Sequence, residues 1–323
     1  MADLDEIRKP IANEWHDFET VFDTAFQSPD PLLQSAMRHV AQHKGKQVRP
    51  TLTLLAAKIA GEINRKTHLA AASFEVLHTA SLLHDDVVDC TDKRRGILSV
   101  NARFGNQTAV LVGDYLLTQS MEFMVQSASL ELVQCLVDLG KEVTRGELLQ
   151  LQSAYQPAGE SVYYETIRRK TAALFANCAL AGALSAGATQ EQAEALRAFG
   201  ENLGICFQIK DDIFDYTPQA RIGKPTLNDI REGKFTLPLI HAIDNAPEAE
   251  AKSIVEMVKN ADENAENSML IHQFVEQYHG IAYAHEKMNV FRRKSLDCIT
   301  IFEDSEAKQS LQRLLDFVLE RNN

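Results

Sequence analysis

The sequence predicts an all-α protein, and three observations carry this prediction. No segment shows the sustained alternation of apolar and polar residues, rich in β-branched side chains, that half-buried strands require. Apolar runs occur instead without internal glycine or proline, and one of them leads from Leu69 to Arg95. Thr189 and Gln192 form a capping box, which marks the start of a helix. We therefore expect a single-domain helical bundle around a central cavity.

The composition of the chain argues against several classes of function. The chain has 323 residues, of which 45% are hydrophobic, and a net charge of −12. That charge disfavours general binding to nucleic acid or to anionic membranes. No window is long and apolar enough for a membrane span, and residues 1–20 do not resemble a signal peptide. Five scattered cysteines favour a reducing environment over disulfides or zinc, so we expect a cytoplasmic protein.

Helices are expected in order along the first third of the chain. The pattern predicts one helix over residues 4–27, with a kink at Pro10, and a second over residues 32–43. A basic loop with Lys46 and Arg49 follows, and Pro50 opens the next helix as its first-turn proline. A basic loop at a helix N-terminus suits an anion, although a solvated basic turn would explain the same residues.

The next helix carries the first acidic motif of the chain. The D-D-x-x-D pattern and the two arginines after it are Asp85, Asp86, Asp89, Arg94 and Arg95. At about 100° per residue, His78, Asp85 and Asp89 fall within about 20° of one line on a helix. A histidine and two carboxylates are therefore expected on one face, with guanidinium groups just beyond the helix end.

Three further helices are expected in the middle of the chain. One begins near Asn106, a long one covers residues 129–156, and the third covers residues 164–182 after the break at 157–159. The third carries Lys170 and Thr171 just before an alanine-rich apolar run. Lys170 would be a desolvated ammonium that holds phosphate or opposes an acidic cluster, unless its side chain snorkels to solvent.

The second acidic motif lies on the helix that the capping box starts, which we expect to run to about residue 216. Its polar residues are Gln208, Asp211, Asp212 and Asp215. The helical spacing places Gln208, Asp212 and Asp215 on one face, with Asp211 beside them. A basic, glycine-bearing loop with Lys224 and Lys234 follows, and it lacks the spacing of a Walker loop.

The remaining helices are expected at 236–243, 248–260, 268–295 and 305–321, with packing roles only. Two acidic clusters on mostly apolar helices require a cause, since buried carboxylates are costly unless they are paired or bind metal. Mg²⁺ is the best fit, because it combines one or two carboxylates with water and substrate phosphate. A solvated acidic face is the alternative for a single motif. The spacing of a calcium-binding EF-hand is missing from both.

These residues resemble the trans-polyprenyl diphosphate synthases. The resemblance is carried by GKQVRP at 45–50, EVLHTASLLHDDVVD at 75–89, RRG at 94–96, GNQTAVLVGDYL at 105–116, YETIRRKTAALF at 164–175, GICFQIKDDIFD at 204–215, GK at 223–224 and EGKFTLPLI at 232–240. It implies one prenyl-synthase domain over residues 1–323, with a motif-bearing core at about 40–240 and C-terminal helices over 247–323. It also implies a homodimer that condenses isopentenyl diphosphate head-to-tail with an allylic diphosphate.

The resemblance also implies roles for the polar residues. About three Mg²⁺ ions would be held by Asp85, Asp89 and Asp211, with Asp86, Asp212 and Asp215 in support. The leaving diphosphate would be neutralised by Arg94, Lys170, Lys224 and Lys234. Thr171 and Gln208 would present oxygen dipoles to the allylic cation. Isopentenyl diphosphate would be bound without metal by Lys46, Arg49, His78 and Arg95.

Product length is expected to depend on the residues four and five positions before the first aspartate. Here they are Ser81 and Ala80, whose small side chains leave a product tunnel open. The resemblance is closest to long-chain quinone side-chain synthases of the octaprenyl or heptaprenyl type. Phe123, with Met121 and Met124, is a candidate for the tunnel floor. Leu227 departs from the glycine usual at its place in the family.

Other functions remain open alternatives at this point. A short-chain synthase making farnesyl or geranylgeranyl diphosphate would use the same motifs. A non-catalytic subunit of a heteromeric synthase would only bind product beside an active partner, and the intact aspartates of both motifs argue against it. A terpene cyclase would share the first motif, but it normally lacks a second D-D-x-x-D. A helical metal phosphohydrolase would explain His84–Asp85 and leave the second acidic helix without a role.

Overall fold

The computed structural model describes residues 3–42, 45–94, 96–217, 227–260 and 265–321. The helices in these ranges are α1 Leu4–Arg8, α2 Ala12–Thr24, α3 Pro31–Ala41, α4 Val48–Ala60, α5 Arg65–Val88, α6 Val100–Phe104, α7 Asn106–Gln126, α8 Leu130–Ser153, α9 Glu160–Ile167, α10 Ala173–Ser185, α11 Gln190–Asp215, α12 Asn228–Arg231, α13 Leu237–Asn245, α14 Glu248–Lys259, α15 Ala265–Gln277, α16 Gly280–Cys298 and α17 Glu306–Glu320. The expected all-α class is confirmed.

A short hairpin is the extended element within the described ranges. Strand β1 Lys93–Arg94 pairs antiparallel with β2 Ile97–Leu98, so that Lys93 lies opposite Leu98. The hairpin follows the first acidic motif directly. It is too short to alternate detectably in sequence, which is why no strand was expected there.

Local signals set the ends of the helices around the centre. Pro10 lies in a short 3₁₀ turn between α1 and α2. Gly61 caps the C-terminus of α4, and Asn64 with Thr67 forms a capping box at the start of α5. The predicted box of Thr189 and Gln192 is present at α11.

The core is built around α5, which packs along α7 and α4. On its other side α10 packs against both α4 and α11, and α11 packs against α16. Close approach of α4 and α10 depends on Gly182, where a Cβ would lie 2.2 Å from the Thr53 carbonyl oxygen. The buried apolar cluster continues from Ile7 to Leu319, so both ends of the described chain join one core.

Two expected helices differ from the structure. The helix expected over 164–182 is α9 and α10 with a π-helical segment, Arg168–Ala172, between them. The helix expected over 268–295 is two helices, because His279 adopts a left-handed backbone (φ +57°) between α15 and α16. Among the described helices, none is both long and apolar enough to cross a bilayer.

Candidate active site

The first acidic motif divides between two sides of α5. Asp85 lines a cavity, and burial raises its pKa, against the attraction of Lys170 and with the repulsion of Glu147 and Asp89. Burial also raises the pKa of Asp89, which caps the C-terminus of α5. These two carboxylates lie one helical turn apart, and each would be stabilised in its ionised form by a bound cation.

Asp86 is paired within the protein. Its carboxylate is almost fully buried and accepts hydrogen bonds from Arg94 Nε at 2.7 Å and Nη2 at 2.6 Å. Asn101 donates to the Asp86 backbone oxygen, so the hairpin and the residues after it are fixed to the end of α5. Arg94 is therefore held by the middle aspartate of the motif, and the two residues line a cavity of their own beside Phe22 and Glu75.

The second motif makes a different contact at each carboxylate. Asp211 pairs with Arg321, whose Nη2 lies 2.6 Å from Oδ1 and whose guanidinium stacks on Phe207. Asp215 accepts from the backbone N–H groups of Asn228 and Asp229, at 2.8 and 2.9 Å, and so holds the start of α12. The structure thus connects this motif both to the end of α17 and to α12.

Asp212 is at the end of a buried hydrogen-bond chain. It accepts from the Tyr163 hydroxyl at 2.6 Å and from Gln208 Nε2 at 2.9 Å. Thr171 in turn donates to Gln208 Oε1 at 2.7 Å. Because a carboxylate accepts from the amide nitrogen, the Gln208 oxygen is turned toward Thr171. Burial, followed by repulsion from Asp229, raises the pKa of Asp212.

Both lysines of the site are paired with acids. Lys170 Nζ lies 2.6 Å from Glu147 and donates to Gln150 at 3.2 Å. Lys234 pairs with Glu232 and Asp229. Burial works against the charge of Lys234, but these two carboxylates outweigh it and raise its pKa. An anionic ligand that reaches either ammonium group would compete with protein carboxylates.

Lys170 and Thr171 lie in the π-helical segment, which is held from two sides by glycines. A Cβ at Gly146 of α8 would lie 2.6 Å from the Lys170 backbone nitrogen, and one at Gly204 of α11 would lie 2.6 Å from Ala172 Cα. π-Helical turns are rare and often occur at functional sites. This one aims Lys170 and Thr171 into the same cavity.

That cavity has a volume of about 540 Å³. Its polar end contains Arg49, His78, Asp85, Lys170, Thr171 and Gln208. Ala80, Ser81, Leu117, Leu139 and Leu174 continue the lining in apolar or small side chains. Leu77, also in the lining, is eight residues before Asp85, about 12 Å along the axis of α5. A neighbouring polar cavity of about 180 Å³ shares Lys170, Thr171 and Gln208 and adds Asp212, Asp229 and Lys234.

Comparison with known proteins identifies the family. The family model described as polyprenyl synthetase matches residues 30–275, most of the chain. The chain belongs to this family. It is a trans-prenyltransferase, as the sequence analysis predicted. Within this polyprenyl synthetase the two D-D-x-x-D motifs, the π-helical lysine and the long cavity lie in the matched range.

Individual relatives cover almost the whole chain. The octaprenyl diphosphate synthase of Haemophilus influenzae is 33% identical over 324 residues, 100% of this chain and 98% of its own length. The structure of a polyprenyl synthase from Caulobacter crescentus, complexed with calcium and isoprenyl diphosphate, gives a TM-score of 0.91 at 32% identity, covering 99% of this chain and 98% of its own. A geranylgeranyl pyrophosphate synthase from Bacteroides thetaiotaomicron gives 0.85 at 38% identity, covering 98% and 99%.

Many of the predicted site residues of the polyprenyl synthetase line the two cavities: Arg49, His78, Ala80, Ser81, Asp85, Lys170, Thr171, Gln208, Asp212 and Lys234. Asp86 and Arg94 line a third cavity, and Asp89, Asp211 and Asp215 are not among the described lining residues. Lys46 is exposed on the loop before α4. Arg95 and Lys224 lie outside the described residues. Phe123 is buried, and the described lining of the large cavity contains Leu117 of α7 and not Phe123, so the role of Phe123 as tunnel floor stays a prediction. Met121 is about half exposed.

Sequence reasoning missed several residues of the site. Tyr163 and Glu147 gave no motif signal, and Arg321 stands in the region where only packing was expected. The arginine follows α17 near the end of the sequence, which is a weak signal.

Among the described residues, no group of three acidic, histidine or cysteine side chains converges to hold a metal ion without further ligands.

Proposed function

We propose that the protein condenses isopentenyl diphosphate head-to-tail with an allylic diphosphate and releases a long trans-polyprenyl diphosphate. The observation that carries the proposal is the large cavity, which is polar around Asp85 and Lys170 and apolar around Leu117 and Leu139. A diphosphate would bind at the first end, and a growing hydrocarbon chain would enter the second.

The allylic diphosphate would bind beside Lys170 and Lys234, with Arg94 near by. Their positive charge favours heterolysis of the allylic C–O bond, in which the bonding pair leaves on the diphosphate. The Thr171 hydroxyl and the Gln208 carbonyl oxygen then lie beside the allylic cation as dipoles. The double bond of isopentenyl diphosphate forms the new C–C bond, and the released diphosphate accepts the proton that the adduct loses.

Isopentenyl diphosphate would bind on the side of α4. Arg49 lines the large cavity over the rings of Phe175 and Phe207, and His78 faces the same space. Lys46 stands at the loop before α4, and its exposed ammonium can reach a diphosphate there. Arg95, adjacent to the hairpin arginine, would complete this subsite, while Lys224 would add to the allylic one.

A divalent cation fits the acidic residues. Asp85, Asp89 and Asp211 carry raised pKa values from burial, so bound cations would relieve the cost of their ionisation. We infer that these three hold about three Mg²⁺ ions together with the allylic diphosphate. Asp212 and Asp215 would support these metal ligands through their hydrogen bonds. The ions would supply charge neutralisation for the leaving group. The Caulobacter relative, which was complexed with calcium and isoprenyl diphosphate, supports a metal here.

We propose that the prenyl chain of the product is longer than that of geranylgeranyl diphosphate. Ala80 and Ser81 are small and line the cavity, so neither blocks it near the reacting carbons. The Haemophilus relative is named for an octaprenyl product. A short-chain product is the second candidate, because the Bacteroides relative is a geranylgeranyl pyrophosphate synthase with 38% identity.

The protein is also proposed to be a homodimer. Val110, Leu111, Met121 and Val125 are exposed within an arc of about 100° on α7. Exposed leucines and a valine form a similar stripe on α8, which packs beside α7. They are Leu130, Val137, Leu148 and Leu151. Exposed apolar side chains that gather on one face of two neighbouring helices favour an interface, and a second copy of the chain fits the family resemblance.

We further infer a single domain over residues 1–323 in a cytoplasmic enzyme. One continuous apolar cluster supports the first statement. The second is supported by five cysteines that are all free thiols, as expected in a reducing compartment.

The decisive experiment combines purified protein, Mg²⁺, isopentenyl diphosphate and farnesyl diphosphate, and measures the length of the extracted prenyl chains. Chains longer than geranylgeranyl support the proposal. Chains that stop at geranylgeranyl favour the short-chain function. The absence of condensation with geranyl, farnesyl and geranylgeranyl primers would reject the enzyme as proposed and favour a non-catalytic subunit. Asp85→Asn should abolish product in either enzymatic case.

A further inference from the structure

The loop that precedes α4 has a strained backbone. Gly45 and Gln47 have φ values of +69° and +49°, and Gln47 is the N-cap of α4 without a side-chain cap hydrogen bond. A left-handed backbone at a residue other than glycine is unfavourable and persists only where the surroundings enforce it. This conformation sets the direction in which Lys46 leaves the loop, so what enforces it matters for the function.

Arg8 supplies that enforcement. Its Nη2 donates to the backbone oxygen of Lys46 at 2.7 Å and to that of Gln47 at 3.3 Å. Its Nε donates to Thr51 Oγ1 at 2.9 Å, and the Thr51 hydroxyl donates to the Gln47 oxygen at 2.8 Å. One guanidinium therefore satisfies two consecutive loop carbonyls and the first turn of α4, which a single ammonium cannot do with the same geometry.

The guanidinium is itself held in place. Its carbon lies 3.8 Å from the centre of the Trp15 ring, so Arg8 is fixed between the indole of α2 and the loop. Burial lowers the pKa of Arg8, against the attraction of Asp5, Glu19 and Glu75. The protein thus accepts desolvation of a cation here. Arg8 and Trp15 both precede the range 30–275 that the family model matches.

We propose that Arg8 is a positioning residue for the isopentenyl diphosphate subsite, which it organises through the backbone of Lys46 and Gln47 without contacting the ligand. The inference rests on the proposed function for the identity of the ligand. The expected consequence is specific. Loss of the hydrogen bonds that Arg8 donates weakens the binding of isopentenyl diphosphate. The allylic subsite, on the π-helical segment and the loop at Lys234, stays unchanged.

The test compares Arg8→Met, which keeps the stacking length but no donors, with Arg313→Met. Arg313 is an exposed cation of α17 that contacts Glu6, so the control removes the same charge near α1 without touching the loop. Amide hydrogen exchange of the peptide over 45–52 is measured without ligand. Isopentenyl diphosphate binding is measured by calorimetry without an allylic partner, and KM is measured for each substrate.

Arg8→Met is expected to speed exchange at 45–52 and to weaken isopentenyl diphosphate binding about tenfold or more, the scale of a lost charged hydrogen bond. The KM of the allylic substrate should stay within about twofold, and Arg313→Met should resemble the wild type in all readouts. Thr51→Val removes only the hydroxyl that contacts Arg8 and Gln47, so hydrogen exchange at 45–52 and isopentenyl diphosphate binding should change in the same direction and by less. If Arg8→Met does not fold, Arg8→Lys receives the same measurements.

Unchanged exchange and unchanged isopentenyl diphosphate binding in a folded Arg8 variant would overturn the proposal, as would an equal rise in both KM values. Failure of the proposed function is a separate outcome. In that case the wild type forms no product and binds no isopentenyl diphosphate, whereas the hydrogen exchange of the loop still reports whether Arg8 enforces its conformation.

Discussion

Small side chains at two positions of α5 give the cavity its length. Ala80 is almost fully buried, and both it and Ser81 line the cavity less than two turns from Asp85. Neither fills the space between the polar and the apolar ends. A hydrocarbon chain attached at the polar end would pass these residues first, so the volume at residue 80 controls access to the leucines beyond it.

Replacement of Ala80 by phenylalanine should therefore shorten the product. The ring would occupy the space next to the reacting carbons, and we expect chains of farnesyl or geranylgeranyl length in place of longer ones. Chromatography of extracted chains measures the change. Ala80→Ser, which adds one oxygen atom, serves as the control and should keep the wild-type distribution. An unchanged product length in an active Ala80→Phe enzyme would contradict this use of the cavity.

Tyr163 is joined by hydrogen bonds to Asp212 and, through it, to Gln208, which we place beside the allylic cation. Tyr163→Phe removes the hydroxyl that donates to the buried carboxylate, at a cost typical of a hydrogen bond to a charge. We expect kcat to fall about ten- to a hundredfold, because the Gln208 dipole beside the cation loses its support. The KM of isopentenyl diphosphate should not change, since its subsite lies on the α4 side.

Steady-state kinetics of Tyr163→Phe and Tyr164→Phe make this comparison. Tyr164 is the neighbour in sequence, but its ring packs on Phe291, with centroids 5.4 Å apart. The Tyr164 variant should thus keep its kcat. Equal losses in the two variants would show that general packing, and not the hydrogen-bond chain, explains the effect.

At the scale of elements, the π-helical segment depends on glycines of its neighbours. Gly146 of α8 and Gly204 of α11 allow these helices to approach the backbone of residues 168–172 at distances that a Cβ would prevent. The extra residue of a π turn changes the direction of Lys170 and Thr171 relative to a regular helix. The packing of three helices thus fixes where two functional side chains point.

Gly146→Ala should displace this segment. The new Cβ would meet the Lys170 nitrogen and the Arg169 backbone, which cannot move as a flexible side chain can, and overpacking of this kind costs about 1–3 kcal/mol. The midpoint temperature of thermal denaturation and kcat should both decrease. Gly140→Ala on the same helix has open space at the Cβ and should instead stabilise by about 0.5–1 kcal/mol. Two equally stable variants would contradict the steric argument.

Local pattern explains why part of the site was predictable. The positions of Asp85 and Asp89 on one face of α5 follow from helical spacing alone, and so does the start of α11 at its capping box. The contacts of Tyr163 with Asp212 and of Arg321 with Asp211 join residues 49 and 110 positions apart. They depend on how helices pack, and the left-handed His279 that divides α15 from α16 has no glycine or proline signal.

At the scale of the whole molecule, both ends of the described chain contact residues or loops of the proposed site. Arg8 from the start holds the loop before α4, while Arg321 from the end stacks on Phe207 and pairs with Asp211. Lys46 lies 5.7 Å from the centre of the Phe317 ring of α17. Two segments that lie outside the matched range 30–275 therefore support residues that we assign to the proposed site.

Assembly should depend on the apolar stripes of α7 and α8. Leu111→Glu places a charge on a side chain that is 67% exposed in one chain, and burial of that charge between two copies would be costly. Light scattering after size exclusion should give a dimer for the wild type and a monomer for the variant. Ile301→Glu, on an exposed apolar residue outside these helices, should remain dimeric. A monomeric wild type would reject the interface.

Stability without metal should fall as the pH rises from about 7 to 8. Burial raises the pKa of Asp212 to about 8, well above the value of about 3.9 in an unfolded chain. The folded state thus binds this proton more tightly, so its contribution to the free energy of unfolding is fully present below about pH 4 and is lost as the pH approaches 8. The raised pKa values of Asp85, Asp89 and Asp211 act in the same direction.

The midpoint temperature of thermal denaturation, recorded at several pH values with a metal chelator present, measures this dependence of stability on pH. Burial lowers the pKa values of His68, His241 and His285, which acts in the opposite direction up to about pH 7, so the decline is measured above that pH. Carboxyls with lowered pKa values, such as Glu194 beside Arg197, act in the opposite direction only below about pH 4.5 and do not enter the window. Asp212→Asn should flatten the decline. Mg²⁺ with inorganic diphosphate should restore stability most at pH 8, because a ligand that binds the folded state alone favours it and cations hold the carboxylates ionised. A midpoint temperature that rises between pH 7 and 8 without metal would show that these acids are not costly in the folded protein, and the electrostatic reason for placing cations beside them would be lost.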